Sequence, residues 1–185
     1  MDDRELAERC LSGDQSAIRQ FVERFQGLVF SVCLRQLRHR EDAEDVAQQT
    51  LVRAVRHLRN WDRQRPLNPW VLTIAVNRCR THQSMRSNQA RSFDPTIDTP
   101  APDSRLGTLD LGEELQLALG KIRDDYRTCF ILFHQQELSI SEVARIMKCP
   151  EGTVKTWLHR ARRELAELLI ERGAVTKDGY ELHRI

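Results

Sequence analysis

The spacing of apolar residues fails once over a long stretch, between residues 87 and 108, and that break divides the 185-residue chain in two. Before it, Ile18, Phe21, Val22, Phe25, Val29 and Val32 recur at steps of three and four, the stripe of a helix packed on a core. In EDAEDVAQQTLVRAVRHL the stripe is Val46, Ala47, Thr50, Leu51, Ala54, Val55 and Leu58. The opposite face carries Asp45, Gln48, Gln49, Val52 and Arg56, and is polar apart from the valine. After the break Leu111, Leu115, Ala118, Leu119 and Ile122 resume a helical pattern. The interrupting segment, FDPTIDTPAPDSRLG, is rich in proline and acid and has no period, which is the composition of an extended linker. Convincing strand alternation is absent. The spacing therefore predicts an all-α protein of two small helical domains, 1–86 and 109–171, joined by an acidic, proline-containing linker over 87–108 and followed by a tail over 172–185.

Within the first domain, Pro66 and Pro69 interrupt RNWDRQRPLNPWVLTIAVNRCRTH, and Asn68 is placed to cap a new helix with Pro69 in its first turn. Residues 70–76 are almost all apolar, so this helix is expected to run among others, with Trp70 in the core. Trp61 lies among polar and basic neighbours, where an aromatic either packs inward or stacks on unpaired bases.

The formal net charge of +2 is too small to imply nucleic acid, and the distribution says more. Four arginines and no acid occur over residues 77–91, whereas eight acids face three basic residues over 92–125. The five cysteines form no C-x-x-C pair of the kind a structural zinc site or redox dithiol needs, and His159 has no partner at ligand spacing; no metal or cofactor is expected. The N-terminus is charged where a signal peptide would be apolar, and no apolar run is long enough to span a bilayer. A soluble cytoplasmic protein without membrane insertion is the expectation.

The segment LSISEVARIMKCPEGTVKTWLHRARREL contains two helices and a turn. Ser139 with Glu142 has the spacing of a capping box, and Ile140, Val143, Ala144 and Met147 then form an apolar face. Lys148, Cys149 and Pro150 break that helix. A second follows with Val154, Leu158, Ala161, Leu165 and Leu168 inward, and Lys155, Thr156, His159, Arg160 and Arg163 outward. From residue 155 to 163 there are four basic residues, one histidine and no acid. This is the pattern of a helix-turn-helix with a basic outer face. Such a face neutralises phosphates, and arginine can also read base edges through its bidentate fork.

These residues carry a resemblance. CPEGTVKTWLHRARREL resembles region four of bacterial extracytoplasmic-function sigma factors of the sigma-70 family. DVAQQTL and PWVLTIAVNR resemble the core-binding and DNA-melting strings of region two, in the expected order. The resemblance implies a factor that binds RNA polymerase core, directs it to promoters and is not an enzyme. By residue, it assigns Asp45, Gln48, Gln49, Val52 and Arg56 to the coiled coil of the largest polymerase subunit. Trp61, Arg63, Arg65, Asn68, Asn77 and Arg78 go to the minus-ten element, and Thr153, Lys155, Thr156, His159, Arg160 and Arg163 to the minus-thirty-five element. It also implies contact with the polymerase flap and an anti-sigma factor that restrains the protein. Gln49, Leu51 and Trp157 depart from the family's usual acid, phenylalanine and arginine, and DRQRPLN, residues 62–68, departs most. Two other readings of the sequence are a free-standing helix-turn-helix regulator and a DNA-processing enzyme. Neither accounts for the match in the first domain, and no phosphate loop, metal cluster or nucleophile–base spacing supports the second.

Overall fold

The computed structural model describes residues 2–92 and 111–175, in which all regular structure is helical. Four helices, α1 (Asp3–Leu11), α2 (Gln15–Leu37), α3 (Arg40–His57) and α4 (Leu67–Ser92), form one compact unit. A second is built on α5 (Leu111–Leu119), α6 (Asp124–Phe130), α8 (Glu151–Glu171) and the start of α7 (Ile140–Met147).

In the first unit α2, α3 and α4 pack on one another and α1 lies against α2. The core is made of the residues the helical period selects: Phe21, Phe25 and Val29 from α2, Val46, Ala47, Leu51 and Ala54 from α3, and Val71 and Ala75 from α4. Phe21 and Phe25 meet with ring centroids 4.7 Å apart. Thr50 is buried on α3, and its hydroxyl is satisfied by the Val46 carbonyl at 2.7 Å. Caps set the helix boundaries. Asp14 accepts the amides of Ser16 and Ala17 at the start of α2, and Arg38, at φ 59°, closes its end in the left-handed conformation.

The start of α4 differs from expectation. Asn68 is not the cap: the helix begins at Leu67, whose amide is taken at 3.1 Å by the Asp3 carboxylate of α1. Asp3 also pairs with Arg24 of α2 at 2.6 Å, so one carboxylate joins three helices. The intervening loop is tied to α1 as well, through Arg4 Nε donating to the Arg63 carbonyl and Arg63 Nη1 to Glu8. At its far end α4 runs through Ser92, past the domain limit of 86 read from the sequence. Loss of an apolar stripe does not stop a helix that meets no Pro or Gly, because each added residue still closes a backbone bond. The remainder of the expected linker lies outside the described residues.

Cys33 and Cys79 sit where α2 and α4 pack, with Sγ atoms 3.7 Å apart. The Cys79 thiol and burial together push the Cys33 thiol far above its ordinary value, so it stays protonated and acts as a small apolar group.

In the second unit α8 packs on α5 and α6 around Ala118, Leu119, Ile122, Tyr126, Ala161, Leu165 and Leu169. Two expected core residues are displaced outward. Leu111 is 55% exposed at the first residue of α5, and Leu168 is half-buried while Leu169 takes the deeper position. The capping box forms: the Ser139 amide donates to Glu142 Oε2 at 2.8 Å and the Glu142 amide to Ser139 Oγ at 3.3 Å. Lys148, at φ 56°, ends α7, and Pro150 precedes α8 in an extended conformation. Gly173, at φ 72°, stops α8 as its position in the sequence predicts.

The expected tail begins inside this unit. Arg172 is ion-paired and doubly hydrogen-bonded to Glu114 of α5, and Ala174 and Val175 pack on the core. The Arg172 guanidinium holds the Glu114 carboxyl below its usual range. A depressed carboxyl contributes stability in full above its unfolded value of about 4.3 and loses it as pH falls through the folded value. Glu114→Gln is therefore expected to lower the melting temperature of the second unit at neutral pH, with the difference from the parent closing as the solution is acidified. Thermal melts followed by circular dichroism across the acid range check this.

Candidate protein and nucleic-acid interfaces

Burial of the α3 stripe turns Asp45, Gln48, Gln49, Val52 and Arg56 to solvent, all of them exposed as the sequence predicts. Val52, 45% exposed, is an apolar side chain set in a polar face. Beside it a groove of about 240 Å³ is lined by Gln49, Val52, Arg53, Arg56, His57 and Arg78, with no carboxylate in its lining. Arg78 of α4 reaches this groove and donates Nη2 to Gln49 Oε1. Arg53 and His57 were missed by the sequence reading. Their spacing from Gln49, four and eight residues, was the available signal.

The six residues assigned to the minus-ten element do not share one place. Trp61 is 6% exposed and belongs to the core of the first unit, with its indole N–H buried and without a partner among the described residues. Buried there, its ring is not presented to unpaired bases, contrary to its assignment to the minus-ten element. A tryptophan at a helix–loop junction can turn inward whatever the polarity of its sequence neighbours. Arg63, Arg65 and Asn68 are exposed around the loop; Arg63 pairs with Glu8 at 2.9 Å and Arg65 with Asp62 at 3.1 Å. Asn77 and Arg78 are half-buried on α4, about 15 Å of helix rise from Asn68. Trp70 is half-buried against the core, in agreement with its expected packing role.

On α8 Val154, Leu158, Ala161 and Leu165 are buried and Lys155, Thr156, His159, Arg160 and Arg163 are exposed, while Thr153 is half-buried. Thr156 Oγ1 donates back to the Gly152 carbonyl at 2.9 Å. Lys155 and His159 have no polar partner among the described residues. Arg163 lies 3.8 Å from Glu167, a loose pair of two exposed groups. Arg160 Nη1 donates to the Tyr126 hydroxyl at 3.0 Å, and this contact raises the arginine's pKa still further. Arg162 leaves the basic run: it donates to His134 Nε2 at 3.1 Å and lies over the Phe133 ring. Burial and the Arg162 charge lower the His134 pKa, in keeping with a neutral imidazole accepting that bond. Trp157 is half-buried against the core, a packing role in place of the family's arginine.

The arrangement can therefore hold anions along one side of α8 and beside α3. The described residues contain no cluster of three metal-ligating side chains, and no described helix is long and apolar enough to cross a membrane.

Both units match known proteins. Residues 21–91 match sigma-70 region 2 and residues 112–165 match sigma-70 region 4. The chain is 30% identical to the ECF RNA polymerase sigma factor SigW of Bacillus subtilis, over 85% of its own length and 91% of the relative's. It is 26% identical to the RNA polymerase sigma-H factor of Pseudomonas aeruginosa, over 90% and 93%. Among solved structures it resembles the sigma factor RpoE of Bartonella quintana, crystallised with the anti-sigma factor NepR, at a TM-score of 0.71 and 25% identity, over 82% of this chain and 96% of that one. It also resembles CnrH, solved with the cytosolic domain of CnrY, at a TM-score of 0.66 and 26% identity, over 91% and 97%. With two regions matched in order and relatives aligned over nearly their whole length, the chain belongs to the extracytoplasmic-function sigma factors of the sigma-70 family, which direct RNA polymerase core to specific promoters.

Proposed function

We propose that promoter choice is divided between the two basic surfaces, with polymerase held on the face of α3. Lys155, Thr156, His159, Arg160 and Arg163, with Thr153 at the edge, meet duplex DNA at the minus-thirty-five element. Arg63, Arg65, Asn68, Asn77 and Arg78 meet the opened minus-ten strand. Asp45, Gln48, Gln49, Val52 and Arg56 dock on the coiled coil of the largest core subunit, and the second unit contacts the flap. The observation that carries this reading is the acid-free run of α8 presented to solvent opposite a fully buried apolar stripe.

The protein supplies no chemical step. One helix anchors duplex DNA upstream, and the first unit lowers the cost of strand opening through hydrogen bonds to exposed bases and cations beside phosphates. It acts in the cytoplasm. An anti-sigma protein is its partner when silent, by analogy with the related sigma factor RpoE of Bartonella quintana, solved with the anti-sigma factor NepR.

Run-off transcription with purified core and genomic promoters tests the whole reading. The expected outcome is initiation at defined sites only when core and this protein are combined, with weak binding of DNA by the protein alone. Tight specific binding without core, unaffected by adding it, would restore the free-standing regulator.

Two variants test the surfaces. Asp45→Arg with Gln48→Ala replaces two exposed groups, so the fold is retained and affinity for core falls in a pull-down or fluorescence titration. Lys155→Ala removes a point charge: upstream binding weakens about equally across sequences, and the slope of log affinity against log salt falls by roughly one.

A further inference from the structure

Arg160 is an exposed side chain on the outer face of α8, yet its partner is the hydroxyl of a buried tyrosine. Tyr126, on α6, is 6% exposed, with its ring in the cluster formed by Leu119, Ile122, Ala161 and Leu165. Arg123 flanks the same ring, with its guanidinium 5.5 Å from the centroid. The ring is thus held by packing, and its phenol oxygen accepts from Arg160 Nη1 at 3.0 Å.

We propose that Tyr126 is a positioning residue for promoter recognition, its hydroxyl holding the Arg160 guanidinium so that the remaining N–H donors of the fork are preset for a base edge. The inference rests on the reading of the α8 face as the one that meets DNA. Two physical points support it. Arginine has a long, rotamer-rich chain, and bidentate reading of a base demands one orientation, so an anchor on one nitrogen removes freedom that DNA would otherwise have to freeze. The acceptor is also uncharged. A carboxylate would orient the guanidinium equally well but would cancel the charge that attracts DNA, whereas a phenol orients it and leaves the charge intact. Lys155 and His159, on the same face, have no such anchor among the described residues.

The test uses holoenzymes made from core and the full chain as parent, Tyr126→Phe, Arg160→Ala and the double variant. Each transcribes from a promoter library randomised in the upstream element, at two salt concentrations. Tyr126→Phe removes one oxygen and keeps the buried ring. It is expected to lower use of the preferred upstream element about three- to tenfold, flatten preference at a single position and leave the salt dependence unchanged. In the Arg160→Ala background it should cost nothing more. An equal loss in both backgrounds would make the hydroxyl merely structural and overturn the proposal, and that comparison holds even if Tyr126→Phe melts below the parent. Unchanged base preference in Tyr126→Phe, with preference lost in Arg160→Ala, would overturn it as well. If Arg160→Ala itself keeps the parent's preference and salt dependence, the assignment of Arg160 to DNA fails first and the role of Tyr126 falls with it.

Discussion

The geometry of both candidate surfaces depends on one constraint, that a helix burying a stripe of one face has its opposite face aimed by the same act. On α8, Val154, Leu158 and Leu165 are buried along one side, and each fully buried Val or Leu is worth about 1.5–3 kcal/mol. Turning the helix by a single residue would expose all three and drive Lys155 into the core. No surface contact competes with that cost, so Lys155, Thr156, His159, Arg160 and Arg163 face outward because the stripe faces inward. On α3, burial of Val46, Ala47, Thr50, Leu51 and Ala54 aims Asp45, Gln48, Gln49 and Val52 in the same way.

Polar ties then refine what packing aims. The Asp3 carboxylate receives the first amide of α4 and the guanidinium of Arg24, placing a negative charge at a helix N-terminus where the helix dipole favours it. Glu8 and Arg4 hold the loop that follows α3. The segment that departs most from its family is therefore supported from α1, far away in sequence. In the second unit the same division holds: the apolar cluster sets α8, while Tyr126 engages Arg160 and His134 draws Arg162 away from the exposed run.

Cations among the described residues differ in their partners. Arg9, Arg24, Arg40, Arg86, Arg123 and Arg172 meet carboxylates and serve the fold or are neutralised at its surface, and Arg63 and Arg65 meet Glu8 and Asp62. Those around the α3 groove and along α8 are mostly without an acid, so their charge remains available to a partner. A net charge of +2 conceals this, because pairing rather than composition determines the local field.

By itself the sequence determined what is local. The stripes of α2, α3 and α8, the capping box at Ser139, the stop at Gly173 and the exposed basic run all follow from spacings within a turn or two of helix, and each is present in the structure. Only the tertiary structure decided what needs a distant neighbour. The residues beside Trp61 leave its direction open, and it is buried in a core assembled from four helices. Asn68 has the chemistry of a cap, but Asp3 reaches the Leu67 amide instead. Arg172 reads as tail until Glu114 receives it, and no spacing in the sequence marks the Tyr126 hydroxyl as the partner of Arg160. Helical period is a property of consecutive residues. The partner of a particular carboxylate, indole or phenol is set by packing between segments tens of residues apart, and no local spacing encodes it.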